Sequence, residues 1–345
     1  MKGLKNLIIL TEKSGGYRGM KRVSKRVIRI LSAIMTVLLL ISSLNFPSYA
    51  KEEEDDLGVT YQVGDFVQFG KYEQDGDSSN GKEDIEWQIL KVESDRVLVI
   101  SRYALDCKEY NISFSDVTWE TCSLHSWLNS EFLYTAFSEK EKELIPWVII
   151  ENNNNPYNGT SGGGNTNDRI FCLSFQEMKT YFGSYNWYDS EHHYGYNQNL
   201  ICTPTQYAVN NGARYNEITE ESYNNVYKNY GYTSDVIGLR ACDWWLRSPG
   251  YASNNACPVI GFGLAGDTSY NVIYGGVAVR PALYINTSES TLVINPKSIT
   301  LDSTSAVLNE GDSMKLVATI QPLLAANKTI TWTSSNPSVA TVSTD

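Results

Sequence analysis

Two adjacent tryptophans, followed by an arginine and a Pro-Gly turn, constrain this chain more than any other feature. They stand in Cys242-Asp243-Trp244-Trp245-Leu246-Arg247-Ser248-Pro249-Gly250, and Val279-Arg280-Pro281-Ala282-Leu283 follows about thirty residues on. On a strand, neighbouring side chains point to opposite faces. One of Trp244 and Trp245 is therefore expected in the core and the other is free to face a ligand, with burial of both, and Arg247 tying down a turn, as the alternative. In Val277 to Ile285, Val277, Val279, Leu283 and Ile285 share one face while Arg280 and Tyr284 share the other. Pro281 cannot donate to a ladder, which places it at an edge or a bulge. These two runs mark the end of a domain.

The N-terminus bears on compartment. Lys21, Arg22, Lys25, Arg26 and Arg29 precede an apolar stretch from Ile30 to Leu44, and Ser48-Tyr49-Ala50 leads into the acidic run from Glu52 to Asp56. That is the layout of a secretory signal peptide over residues 1–50. Its apolar core is shorter than the ~20 residues a membrane span requires, and an uncleaved anchor is the alternative. Met1 or Met20 is the start. No later segment is apolar enough to span a bilayer. Of the 28 basic and 39 acidic residues, nine and one lie in 1–50, which leaves 19 and 38 and a net charge of −19. Such a chain repels phosphate backbones, so no nucleic-acid partner is expected.

The six cysteines, Cys107, Cys122, Cys172, Cys202, Cys242 and Cys257, all follow the signal. An even number in an exported chain points to disulfides. Local bridges, Cys107 to Cys122 and Cys242 to Cys257, are the expectation, with buried free thiols as the alternative. No CxxC pair or Cys/His cluster argues for zinc.

Residues 51–62 read as an acidic linker, 63–286 as one domain, and 291–345 as a second unit. Strands are expected at Phe66 to Tyr72, Ile85 to Val92 and Arg96 to Arg102. Consecutive apolar Val97, Leu98, Val99 and Ile100 predict burial on both faces of the last. Leu124, Trp127, Leu128 and Phe132 form one helical stripe, with His125 at its boundary. Ser138 with Glu141, and Ser174 with Glu177, are capping boxes. Pro258 to Phe262 and Thr268 to Tyr274 flank the turn Gly266-Asp267. The Asn/Gly-rich run from Asn152 to Asp168 is a loop, which disqualifies Gly159-Thr160-Ser161-Gly162-Gly163 as a hydrolase elbow. Leu292–Ile294, Ile299–Leu301, Ser313–Ile320 and Thr329–Thr333 repeat with the rhythm of a β-sandwich. They occupy about half of the ~100 residues a full sandwich needs.

The second unit resembles the bacterial immunoglobulin-like domains of group 2, of the invasin and intimin type. The likeness rests on Glu310-Gly311-Asp312 and on Ile330-Thr331-Trp332-Thr333-Ser334-Ser335-Asn336-Pro337-Ser338-Val339-Ala340-Thr341-Val342. It lacks that family's closing Gly-rich segment, so a truncated product or fragment is expected. The resemblance implies a spacer or adhesion module. The first domain resembles an uncharacterised family of secreted, mostly Gram-positive proteins. Asn80-Gly81-Lys82-Glu83, Ile85-Glu86-Trp87, Tyr103-Ala104-Leu105-Asp106, Val117-Thr118-Trp119-Glu120, Trp127-Leu128-Asn129 and the ending described above carry that likeness. The order of a Trp-containing strand, a variable loop and a Val-Arg-Pro strand is similar to C-type-lectin-like folds, which include formylglycine-generating enzymes. The resemblance implies an α+β chain: a C-type-lectin-like mixed domain followed by an incomplete all-β immunoglobulin-like sandwich.

The expected function is non-enzymatic binding of an extracellular glycan or protein ligand, on the cell surface or secreted. An extracellular enzyme on a formylglycine-generating-enzyme-like fold and a structural cell-envelope protein are the alternatives. Candidate ligand-binding residues are Trp244, Trp245, Arg247, Tyr251, Asn254, Tyr270, Tyr274 and Arg280. Tyr and Asn on loops offer contact area with hydrogen-bonding handles, and the segment Tyr251 to Tyr274 is the foremost surface. A salt bridge with Asp243 is the structural alternative for Arg280. No catalytic residue and no metal ligand is assigned. Calcium is the one cofactor the sequence raises, through Asp75, Asp77 and Ser79 with Glu86 eleven residues after Asp75. Asn80 stands where that loop needs glycine, and Glu86 falls in an expected strand.

Overall fold

The computed structural model describes residues 61–185, 187–288, 292–303, 305, 312–321, 325 and 329–342. The expected signal peptide and nearly all of the expected acidic linker fall outside the described residues. Strands β1 (Phe66–Tyr72), β2 (Glu83–Val92) and β3 (Arg96–Ser101) form a meander. Val97, Leu98, Val99 and Ile100 of β3 are all buried, as four consecutive apolar residues require. β4 (Asp106–Cys107) then leads into helical turns. The helix α1 (Ser123–Trp127) continues without a break through Leu128–Phe132, wound as a π-helix, to Leu133–Ala136. It buries Leu124, Leu128 and Phe132. Both capping boxes form, at Ser138 ahead of α2 (Glu139–Leu144) and at Ser174 ahead of α3 (Phe175–Phe182). The short β5 (Ile170–Phe171) lies between these two helices.

The closing strands are β6 (Trp244–Pro249), β7 (Asn255–Val259), β8 (Tyr270–Asn271), β9 (Ala278–Val279) and β10 (Ala282–Asn286). One sheet runs β8-β7-β6-β9-β4, and β6 lies parallel to β9 through Trp244 and Ala278. A six-stranded antiparallel sheet has β10 between β3 and β5. The chain changes sheets between Val279 and Ala282. Pro281 sits at that switch, where no ladder needs its missing N–H. Ser101 N donates to Pro281 O at 2.9 Å, binding the crossover to the end of β3.

Three expectations change. Gly266-Asp267 does not close a hairpin between its flanking runs: Leu264 to Gly266 pairs with Tyr194 to Tyr196, and β7 pairs with β8 across a longer excursion. The strand β11 (Val293–Ile294) leaves the second unit and extends the six-stranded sheet beside β1, with Val67 opposite Ile294. Leu292 and Ile294 thereby bury their side chains in the first domain's core. The second unit contains a hairpin of β12 (Ser298–Leu301) and β13 (Ala318–Gln321), and Thr329 to Thr333 is not a strand.

Candidate functional site

Four of the eight candidate residues belong to the core. Trp244 and Trp245 both have 0% exposure. Trp244 Nε1 donates to Leu200 O at 3.1 Å, and Trp245 Nε1 to Lys108 O at 2.9 Å. β6 has protein packed on both faces, so opposite-pointing indoles are both covered and neither offers a face to a ligand. Arg247 is buried with Nε on Asn152 Oδ1 at 3.2 Å, Nη1 on Cys172 O at 2.9 Å and on Glu177, and Nη2 on Glu151 O at 3.0 Å. Arg280 is buried against the rings of Trp244 and Phe182, and its Nε donates to Ser101 O at 3.0 Å. Asp243 is not its partner. That carboxylate accepts from Gly261 N at 2.6 Å and from Tyr270 O–H at 2.9 Å.

The other four lie on the segment Tyr251 to Tyr274, which includes β7 and β8, with Tyr270 on β8. Tyr251 is 70% and Tyr274 38% exposed, with Asn254 and Tyr270 half-buried. Val272 N donates to Asn254 O, Asn111 N to Val272 O and Val117 N to Ser253 O, so residues 111–117 lash the loop down. The Tyr270 and Tyr274 rings meet at 4.6 Å, and Tyr270 packs edge-on against Trp245. Burial, and then the Asp243 carboxylate, push the Tyr270 phenol well above its ordinary pKa, which keeps it a neutral donor.

Two concavities that sequence reasoning missed lie near this segment. A groove of about 560 Å³ lies between residues 111–117 and the exposed side of α1 and its π-turn. Ser113, Ser115, Ser123, Ser126 and Ser130 line it, beside half-buried Trp127. π-Helical turns occur often at functional sites. The spacing of Ser123, Ser126 and Ser130 was legible as a polar helical face opposite the apolar stripe. The fold of residues 111–117 back over that face was not. A second cleft, about 350 Å³, is lined by Lys108, Glu109, Asn211, Arg214, Gly275 and Gly276, with Cys107 and Gly212 completing it. Lys108 Nζ sits 4.8 Å over the Trp127 ring.

All six cysteines are free thiols, and the two expected local bridges do not form. The thiols instead donate to carbonyls: Cys122 to Trp119 O at 3.3 Å, Cys257 to Pro249 O at 3.2 Å and Cys242 to Cys202 O at 3.2 Å. Burial pushes Cys122 up to about 12 and half-buried Cys107 up to about 11. Iodoacetamide at pH 8 should therefore label the native protein slowly and at Cys107 first, with all six sites labelled after denaturation. Peptide mass spectrometry reads both states, and an unlabelled pair after denaturation would reveal a bridge.

The calcium pattern dissolves. Glu86 points to Arg102 at 2.9 Å and to Asn295, while Asp75 and Asp77 accept amide and side-chain donors within their own turn. Among the described residues, Glu73, Asp75 and Glu83 bring one ligand atom each within 4.8 Å, as do Asp189, Glu191 and His192. Several of these oxygens already accept hydrogen bonds: Glu73 from Gly76 N, Glu83 from Gln74 N, and Asp189 from Glu191 N and the His192 ring. His125 Nε2 lies 2.8 Å from fully buried Asp168, which also accepts from Trp119 Nε1 at 2.8 Å and Thr166 Oγ1 at 3.0 Å. The cluster ties α1 to residues 166–168.

Residues 94–287 match the family described as "Domain of unknown function (DUF6273)", and residues 296–345 match "Bacterial Ig-like domain (group 2)". The second match begins just beyond β11, in keeping with that strand's place in the first domain's sheet. No curated protein and no solved structure matches the chain. Group 2 Ig-like domains occur in extracellular or surface proteins. No helix among the described residues is long and apolar enough to cross a membrane.

Proposed function

We propose a function for a chain that belongs to the DUF6273 family and carries a group 2 bacterial Ig-like domain after it: it is a secreted or cell-surface, non-enzymatic binding protein. It recognises an extracellular glycan or protein ligand through the first domain, and the Ig-like domain is a spacer. The observation that carries this is the surface joining the Tyr251 to Tyr274 loop to the serine-lined groove. Half-buried Trp127 stands among the serine hydroxyls of the groove, and backbone hydrogen bonds from Asn111 and Val117 fix the groove's outer wall to Val272 and Ser253 of that segment. Rings stack on sugar faces, and hydroxyls pair with sugar hydroxyls at little ordering cost. The signal-like N-terminus and the net charge of −19 after it suit an exported protein that avoids nucleic acid.

The lectin-like layout remains part of this proposal. An enzyme on that fold would draw on Cys202 and Cys242, where the Cys242 thiol donates to Cys202 O at 3.2 Å. Both are sealed in the core, which favours the binding reading. A glycan and mucin array probed with the full chain tests it. Binding is expected without added calcium, weakened about tenfold by Tyr251→Ala or Trp127→Ala, the loss of one aromatic anchor. No signal above background, with or without calcium, would overturn the proposal.

A further inference from the structure

The second cleft carries an imbalance of charge. Arg214 and Lys108 both line it, and neither forms an ion pair among the described residues. Arg214 is also held in position. Its N–H donates to Gly276 O at 3.0 Å, and its Nη1 to Tyr274 Oη at 3.2 Å. Gly276 has φ +92°, and a Cβ there would lie 2.9 Å from Arg214 Cγ, Cδ and Nε. The glycine thus leaves room for the arginine stem. Its guanidinium lies 5.6 Å over the Tyr274 ring, which is itself 38% exposed.

The remaining groups narrow the ligand. Glu109 and Asn211 face the same space. Asn211 Nδ2 is engaged with Asp106 Oδ1 at 2.9 Å, which leaves its carbonyl oxygen to accept. A bare inorganic anion gains nothing from an acidic acceptor and an amide oxygen. A ring bearing one carboxylate and several hydroxyls uses all of them: the Arg214 guanidinium for the carboxylate, and Glu109 and Asn211 for the hydroxyls. The volume, about 350 Å³, lies at the small end of ligand pockets, suited to one such ring.

We infer that the cleft between Lys108 and Arg214 binds the carboxylate of an acidic pyranose, a uronic or sialic acid unit at the end of a glycan. This rests on the binding function proposed above and names its ligand class. The guanidinium fork meets the planar carboxylate through paired N–H donors, while Lys108 lines the cleft with its ammonium turned over the Trp127 ring.

Calorimetry with the full chain tests it, using methyl glucuronide, its methyl ester, methyl glucoside, N-acetylneuraminic acid and inorganic phosphate. At least one of the two acids should bind at least about tenfold more tightly than the ester and the glucoside, and salt should weaken it. Arg214→Ala should abolish the preference, and Arg214→Lys should restore part of it by keeping charge without the fork. Lys108→Ala should weaken binding less than Arg214→Ala, because the Lys108 ammonium lies over Trp127. Equal binding of acid and ester would overturn the inference, as would phosphate binding as tightly as the acids or Arg214→Ala leaving affinity unchanged. Ester and glucoside binding that is lost in Trp127→Ala would sink the acidic site and leave the proposed function standing. Failure of every sugar here, with mucin binding retained on the array, would do the same. Failure in both assays would sink the two together.

Discussion

Trp245→Ala should lower the stability of the first domain by about 3–5 kcal/mol, the range for deleting a large buried aromatic. The side chain has no exposed surface, lies edge-on to the Tyr110 and Tyr270 rings at 5.6 and 6.3 Å, and holds Lys108 O through its indole N–H. Alanine removes the ring contacts, leaves a cavity and strands a carbonyl. Trp245→Phe keeps most of the volume and loses the hydrogen bond, so about 1–3 kcal/mol is expected. Urea unfolding followed by circular dichroism measures both. A loss below about 1 kcal/mol for Trp245→Ala would show that the indole is not packed as described. The same change should disturb both concavities, because Lys108 lines one and Tyr270 braces the loop beside the other. Ligand binding should then fall in Trp245→Phe by more than its stability loss alone accounts for.

The residues that predicted the fold did so through local rules. Four apolar residues in a row at Val97 to Ile100 placed a strand buried on both faces. Ser138 with Glu141 and Ser174 with Glu177 placed two helix starts to the residue. Each signal needs only neighbours within a turn or two. The candidate site depended on long-range pairing, and there the local rules ran out. Strand geometry correctly sends Trp244 and Trp245 to opposite faces. It cannot say that both faces are covered, because the cover comes from Leu200, Lys108 and Tyr110. The Arg280–Asp243 pairing failed for a related reason: a backbone amide and a phenol reach Asp243, while Arg280 turns to Ser101 O at the sheet crossover. Lys108 and Arg214 sit in no motif. Asn111 N–H to Val272 O and Arg214 N–H to Gly276 O bring their segments to the Tyr251 to Tyr274 loop. Within the segment Tyr251 to Tyr274, composition marked Tyr251 and Tyr274, which are exposed, but not the burial of Ala256, Cys257, Val259 and Val272 between them.

Arg247→Met should cost about 3–5 kcal/mol, although methionine matches much of the arginine stem. The reason lies in what stays behind. Arg247 donates to Asn152 Oδ1, Cys172 O, Glu151 O and Glu177, and its side chain is 2% exposed. Removing one partner of a buried charged network leaves the others dehydrated and unpaired, which costs more than the network contributes net. Glu177 is 27% exposed and recovers part of its hydration. It also remains the N3 carboxylate of the Ser174 capping box, so α3 should stay capped. The carbonyls of Glu151 and Cys172 and the Asn152 side chain have no such recourse. Arg247→Lys keeps a charge but reaches fewer acceptors than the planar fork, and an intermediate loss of about 2–3 kcal/mol is expected. A double change that removes both ends, Arg247→Met with Glu177→Gln, should cost less than the sum of the two single changes, because the stranded charge disappears with its partner. Urea midpoints for the four proteins give the coupling directly. Additive losses would mean that Arg247 acts through packing against Phe171 and not through the ion pair.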